Sequence, residues 1–256
     1  MKISREKKKP IQALAALHES ASLRAITGPS LRPGGFLLTE RGLCLCGFAP
    51  GARIVDVGCG TGASVVYLRE KHRFRALGID VSGDFLPKDD PKGSIPAIVA
   101  RAEELPLPTG SCDGVLCECV LSLVKEPGRA VKEFSRVLSI GGFLILSDMY
   151  DRIPGDGFSS GPTTAGGCTS ALRSRAFVEQ LLGDSGFSLR AWEDHSRYLK
   201  ELAAQLILSN EPLTEFHHLC GVFNSGCTSS SVSRITRPGY FLLVAQKMKH
   251  GEAIHG

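Results

Sequence analysis

Apolar positions in this chain fall into two alternating patterns. Short, largely apolar stretches occur at Arg53 to Val57, Arg75 to Asp80, Ile95 to Ala100, Asp113 to Leu121, Phe143 to Ser147, Ser188 to Glu193 and Tyr240 to Gln246. They predict strands, and Arg53 to Val57 suits a buried parallel strand. Between them, Ala63 to Lys71, Pro127 to Leu138, Arg175 to Leu182 and Tyr198 to Leu208 predict helices. The clearest is Pro127 to Leu138, with core positions Ala130, Val131, Phe134, Val137 and Leu138 at spacings of one, three and four. Upstream, Ile11 to His18 and Leu37 to Cys46 predict two further helices, the second closed by Gly47 as its C-cap. Strands alternating with helices predict an α/β, doubly wound, mostly parallel sheet with helices on both faces and right-handed crossovers. Ile153 to Gly167 and Asn224 to Ser233, rich in small and polar residues, interrupt that rhythm. The expected organisation is an N-terminal helical cap over 1–49 and one catalytic-sized domain over 50–256. Lid loops are expected near 152–170 and 220–236.

Composition narrows the partners more than the fold. The chain has 256 residues, 43% hydrophobic and 22% charged, as in an ordinary globular domain. Its net charge of +4 gathers partly at Lys2, Arg5, Lys7, Lys8 and Lys9, which reads as a frayed basic terminus. Aromatic residues make up only 7%, too sparse for a platform that stacks bases, so no nucleic acid is expected. No run approaches the ~20 apolar residues that cross a bilayer, so no membrane partner is expected. No apolar segment follows the basic start, and a cytoplasmic protein is expected. The nine cysteines are odd in number and contain no C-x-x-C pair, which argues against a disulfide framework and a structural metal.

The chemistry gathers at Asp56-Val57-Gly58-Cys59-Gly60-Thr61-Gly62, where the first strand meets a helix. Glycines there let the backbone turn sharply and approach a ligand. Asp80 ends the next strand, where a carboxylate accepts hydrogen bonds from ribose hydroxyls. Gly58-x-Gly60-x-x-Ala63 also satisfies the dinucleotide pattern, so a nucleotide-dependent oxidoreductase stays open on these residues alone. Three more segments change that: Ala102-Glu103-Glu104-Leu105-Pro106 after the third strand, Asp113 opening the fourth, and Arg136-Val137-Leu138 with Gly141-Gly142 before the fifth. Together they resemble the class I S-adenosylmethionine-dependent methyltransferases, in the methyltransferase type 11 branch. The resemblance implies a Rossmann-like seven-stranded sheet with an antiparallel last strand. It implies S-adenosylmethionine as cofactor and a small-molecule methyl acceptor. Asp56, Gly58, Cys59, Gly60, Thr61 and Gly62 would hold the methionine end, Asp80 and Val81 the ribose side, and Ala102 and Glu103 the adenine. Cys119 would line the inner wall. The cofactor carries a sulfonium and no phosphate, which suits acidic and backbone groups.

Thiols point toward the acceptor. Cys117-Glu118-Cys119 ends the fourth strand, and residues two apart share a face, so both thiols are expected on one side. Cys168 follows Gly166-Gly167 in the first loose stretch, and Cys220 and Cys227 lie near the second. These segments look like the arsenite methyltransferases, which bind a trivalent metalloid through cysteines; soft thiolates suit soft acceptors. By that resemblance Cys168 matches one binding cysteine and Cys220 or Cys227 another, with Cys117 and Cys119 beside them. Ala63, Ser64, Val65 and Val66 stand where that family has a further cysteine. The chain also looks like a bacterial branch of the superfamily with the Cys-Glu-Cys strand end. A C- or O-methyltransferase of a quinone-like or aromatic metabolite stays open, as does a non-catalytic binding protein. Cys59 reads as packing and Cys112 as an exposed turn thiol. Cys44 and Cys46 read as lying on different helix faces. Glu118 and Asp148 are acidic candidates, while His195, His217 and His218 read as structural.

Overall fold

The computed structural model describes residues 30, 32–84, 86, 95–153, 172–208 and 237–249. The predicted helix Ile11 to His18, the two lid loops apart from Arg152 and Ile153, Cys168, Cys220, Cys227, His217 and His218 lie outside them.

Seven strands form one sheet in the order β3-β2-β1-β4-β5-β7-β6. They are β1 (Arg53–Val57), β2 (Arg75–Asp80), β3 (Ala97–Val99), β4 (Cys112–Glu118), β5 (Leu138–Asp151), β6 (Phe187–Asp194) and β7 (Pro238–Lys247). The first five are parallel; β7 runs antiparallel between β5 and β6. The chain steps outward from β1 to β3 and returns to pair β4 with β1, so its direction of winding reverses between β1 and β4. Ligands of open α/β sheets bind at the carboxyl ends of the strands flanking such a reversal.

Side-chain alternation divides the core into two layers. Val55, Val115, Cys117, Leu144, Leu146, Phe241 and Leu243 face one way. Against them lies α3 (Pro127–Val137), which buries Ala130, Val131, Phe134 and Val137. Pro127 occupies its first turn, where a missing N–H costs nothing. Fully buried Phe134 and Val137 each contribute about 2 kcal/mol. Leu138, expected as the last residue of that helix, instead opens β5 opposite Cys112. The helix α4 (Arg175–Asp184) adds Val178 and Leu182 to the same layer.

Ile54, Leu116, Ile145, Leu242 and Val244 face the other way, under α1 (Gly35–Cys46) and α2 (Ala63–His72). Gly47 caps α1 in the left-handed conformation, as its sequence predicts. Gly42 of α1 lies so close to β5 that a Cβ there would stand 2.6 Å from Ile145 Cγ2. Phe36 stacks on Tyr67 of α2 at 4.0 Å. Glu40 accepts hydrogen bonds from Tyr67 and from Lys71 and pairs with His72 at 2.7 Å. Those partners outweigh partial burial and pull its carboxyl down to about 2. The last described helix, α5 (Ser196–Leu208), lies against β7. Among the described residues no helix is long and apolar enough to cross a membrane.

Candidate active site

The glycine loop leaves β1 and enters α2 through three left-handed residues: Gly58 at φ 79°, Gly60 at 52° and Gly62 at 78°. A Cβ at Gly58 would fall 2.1 Å from Val120, and one at Gly62 2.4 Å from Ile95. The loop is therefore enclosed by the turn after β4 and by the approach to β3. Gly58 and Cys59 both donate N–H bonds to the carbonyl of Ile79. Gly60 donates its N–H to Asp80 Oδ2 at 2.9 Å, and Ser82 donates to Oδ1 at 2.8 Å. Asp80 thus sets the loop's shape through the N–H groups of Gly60, Ser82 and Val81 and keeps some acceptor capacity for a ligand. Its neighbour Val81 is 51% exposed beside it.

Buried acids crowd this strand end. Asp56, next to last in β1, is 3% exposed. Burial, with Glu118 and Asp80 nearby, pushes its carboxyl up to about 8 against the opposing pull of Arg32. Burial also raises Asp80, Glu118 and Asp148 above the usual carboxylate range. The countercharge comes from the segment before α1. Arg32 Nη2 lies 2.8 Å from Glu118 Oε2 and donates to Thr39 Oγ1 at 2.7 Å. Arg32 Nη1 donates to Ser64 Oγ at 3.2 Å, in the first turn of α2. Thr39 in turn donates to Glu118 Oε1 at 2.9 Å. Glu118 faces α1, opposite to Cys117, and is enclosed rather than solvated. Sequence reasoning missed Arg32, Thr39 and Ser64; the one local signal was a cation beside the Pro33-Gly34-Gly35 turn.

The two strand-end thiols do not share a side. Cys117 is fully enclosed in the α3 layer, and burial drives its thiol far above its ordinary range. Cys119 follows the strand with φ 57°, a left-handed turn that breaks the period of two. Its Sγ lies 2.9 Å from the Tyr240 hydroxyl, which also donates to Ser147 Oγ at 3.3 Å. Ser147 and Tyr240 belong to the α1 layer's side of the sheet, since they keep the parity of Ile145 and Leu242. Burial and Asp148 push the Cys119 thiol up to about 12, so it stays protonated at neutral pH. Non-glycine residues in this conformation are strained by about 1–3 kcal/mol and concentrate at functional sites. The predicted strand to Leu121 therefore stops at Glu118, and a 3₁₀ turn forms at Leu121–Leu123. Asp148 pins that turn, accepting from Ser122 N and Ser122 Oγ, both at 2.8 Å, and from Met149 N at 2.7 Å. It shapes the wall and has little capacity left as a base.

Other predicted positions divide between site and scaffold. Ala102 packs in the α3 layer, and Glu103 is 7% exposed with Oε1 held by Arg101 at 2.9 Å. Thr61 is half-buried at the loop's apex. The motifs at Ala102–Pro106 and Arg136 are one unit: Arg136 donates to the carbonyls of Leu107 and Leu105, and Glu133 accepts the Leu105 N–H. Asp113 works at the far end of the sheet, where it binds the Arg53 backbone and guanidinium. Cys112 is buried against the carbonyl of Val137 at 3.0 Å, which corrects the exposed placement expected for it. Cys59 is buried packing; Cys46 is buried while Cys44 is exposed. His195 pairs with Glu193 at 2.9 Å. Among the described residues no group of three or more His, Cys, Asp or Glu is placed to hold a metal ion.

Comparison with known proteins places this geometry in context. Residues 55–146 match a methyltransferase domain family. Phosphatidylethanolamine N-methyltransferase of Cereibacter sphaeroides is 34% identical over 114 residues, covering 42% of this chain and 55% of the relative. Arsenite methyltransferase of Halobacterium salinarum is 25% identical over 148 residues, covering 54% of this chain and 38% of the relative. The chain spans about half the length of the curated relatives it matches. Among solved structures, the [4+2]-cyclase SpnF superposes with a TM-score of 0.72 at 21% identity, over 93% of this chain and 95% of that one.

Proposed function

We propose that this chain, whose residues 55–146 form a class I methyltransferase domain, transfers a methyl group from S-adenosylmethionine to a small-molecule acceptor. The observation that carries the reading is the acidic character of the glycine-loop site. Asp56, Asp80 and Glu118 surround it, and Arg32 is already paired with Glu118. A pyrophosphate would meet repulsion there, whereas an ammonium and a sulfonium meet complementary charge. The residues fit such a cofactor: three left-handed glycines carry the turn without side chains of their own, and Asp80 retains acceptor capacity for hydroxyls. When bound, S-adenosylmethionine supplies an electrophilic methyl group.

The chain's own residues orient and protect that chemistry. Gly58 to Gly62 and Asp56 hold the methionine end, and Asp80 with Val81 the ribose side. Glu103, beside Ala102, faces the adenine. Cys119 and Tyr240 line the inner wall. As a neutral thiol, Cys119 offers a hydrogen bond without competing as a thiolate nucleophile. An enclosed apolar wall and aligned reactants are what methyl transfer chiefly requires.

A metalloid acceptor is the finer version of this reading. Its support is the similarity to an arsenite methyltransferase together with Cys168 and Cys220 or Cys227, which lie outside the described residues. Cys117 contributes nothing to it, being sealed in the core. Calorimetric titration of the full chain tests the general reading: S-adenosylhomocysteine should bind and a nicotinamide dinucleotide should not. The reverse pattern makes the protein an oxidoreductase. Labelled cofactor with arsenite and a thiol reductant then tests the metalloid version, which fails if no methylated arsenical forms while an amine, hydroxyl or quinol acceptor is labelled.

A further inference from the structure

Tyr240 is 0% exposed, deep in β7, where a phenylalanine ring would pack as well. A buried hydroxyl is unfavourable unless it is hydrogen-bonded. Among the described residues its partners are Ser147 Oγ at 3.3 Å and Cys119 Sγ at 2.9 Å. The hydroxyl gives its one proton to Ser147, so the thiol donates to the phenol oxygen. Ser147 of β5 pairs with Leu242, which makes Tyr240 its diagonal neighbour on one face of the sheet. Cys119 lies beyond the sheet, in the turn after β4, and is held a second time by its N–H, which donates to the Ser147 carbonyl at 2.8 Å. Its φ of 57° is costly for any residue with a Cβ. Among the described residues the other such non-glycine is Arg73, which caps α2; Cys119 closes no helix, so its conformation needs another hold. The next residue, Val120, closes on the glycine loop, where a Cβ on Gly58 would stand 2.1 Å from Val120 Cγ2. Beyond it, Asp148 of β5 fixes Ser122. The turn is thus held at both ends, and its middle meets Gly58.

We propose that Tyr240 is a positioning residue for the glycine loop: its hydroxyl holds Cys119 in the left-handed turn that seats Val120 against Gly58. The proposal rests on the reading of that loop as an S-adenosylmethionine site. It ties the cofactor loop of β1 to β7, three strands away in the order β1-β4-β5-β7. Burial raises both the Cys119 thiol and the Tyr240 phenol, so both keep their protons and the link is neutral. Without that bond Cys119 relaxes toward an ordinary conformation, Val120 moves with it, and the wall over Gly58 withdraws. Packing alone would need only the ring, since the β5–β7 ladder joins the same strands without the hydroxyl.

The test is a double-mutant cycle read as ligand affinity. Binding of S-adenosylhomocysteine is measured by calorimetry on the full chain, on Tyr240→Phe, on Cys119→Gly and on the variant carrying both, with melting temperatures alongside. Tyr240→Phe should weaken binding about tenfold, the equivalent of one lost hydrogen bond. Glycine adopts the left-handed turn without help, so Tyr240→Phe should add no further loss in the Cys119→Gly background. The same loss in both backgrounds overturns the proposal, because Tyr240 then acts by another route. So does unchanged affinity in Tyr240→Phe, whether or not its melting temperature falls. Comparing Cys119→Ala with Cys119→Gly needs no change in the core. Both remove the thiol, but only alanine is strained in the turn, so Cys119→Ala should bind at least about fivefold more weakly than Cys119→Gly. Equal binding by those two overturns the proposal as well. A wild type that does not bind S-adenosylhomocysteine overturns the cofactor reading itself, and the proposal with it.

Discussion

Asp56 shows how one residue trades stability for ligand affinity. Its carboxyl is buried and its pKa is raised from 3.8 to about 8, chiefly by desolvation. Between those two values the folded chain holds a proton that the unfolded chain releases. Stability is therefore lost as the pH climbs through that window, and it levels off above about 8. Asp56→Asn carries no such proton. Its melting temperature should exceed the wild type's by an amount that grows from pH 5 to pH 8.5, reaching about 3 °C or more at the upper end. The same variant should bind S-adenosylhomocysteine about tenfold more weakly above about pH 8, where the wild-type carboxyl is ionised and serves as a buried charge partner. Calorimetric melts across that pH range, with and without ligand, check both halves. A melting difference independent of pH would mean that Asp56 is ionised throughout. Gly58 is constrained by space instead. A Cβ there meets Val120 at 2.1 Å in a left-handed turn, so Gly58→Ala should cost about 1–3 kcal/mol in urea unfolding and displace the wall that Val120 forms.

At the scale of elements, the site is held by contacts that cross the sequence. Arg136 and Glu133 of α3 bind the loop at Leu105 and Leu107, which positions Glu103 two residues upstream. Arg136→Leu removes the guanidinium donor of the Leu107 carbonyl and the ion partner of Glu133. It should cost about 2–3 kcal/mol in urea unfolding and weaken ligands that carry adenine more than it affects the amino-acid end. Adenosine and S-adenosylhomocysteine should then lose affinity by the same factor, and a larger loss for S-adenosylhomocysteine would place the effect at the amino-acid end. These elements also mark what the sequence revealed. Strand and helix positions were legible because apolar runs and three-four spacings are local, and Arg53–Val57 and Arg75–Asp80 match to the residue. Gly58 to Gly62 and Asp80 were legible because a strand, a turn and a helix sit in one short stretch. Arg32 was not: its partner Glu118 lies 86 residues away, and nothing local marks a cation that will be buried. The opposed orientation of Cys117 and Cys119 was equally hidden, because period two fails at a left-handed Cys119.

The whole molecule concentrates its destabilising groups at one end of the sheet. Asp56, Asp80, Glu118 and Asp148 are buried at the carboxyl ends of β1, β2, β4 and β5, and desolvation raises all four carboxyls. Stability comes from the two apolar layers and from the clamp of Glu40 on α2. A ligand that brings positive charge to the acids should therefore stabilise the whole fold by linkage. At a ligand concentration one hundred times Kd the gain is about 2.7 kcal/mol, which for a domain of this size raises the melting temperature by about 5–10 °C. S-adenosylmethionine, with its sulfonium, should raise it more than S-adenosylhomocysteine at equal concentration, because only the sulfonium adds a charge facing the acids. A nicotinamide dinucleotide should leave it unchanged. Scanning calorimetry with the three ligands on one preparation checks the order. Equal shifts for the two S-adenosyl ligands would show that the acids serve the loop's shape and the ammonium alone, and not the charge that departs with the methyl group.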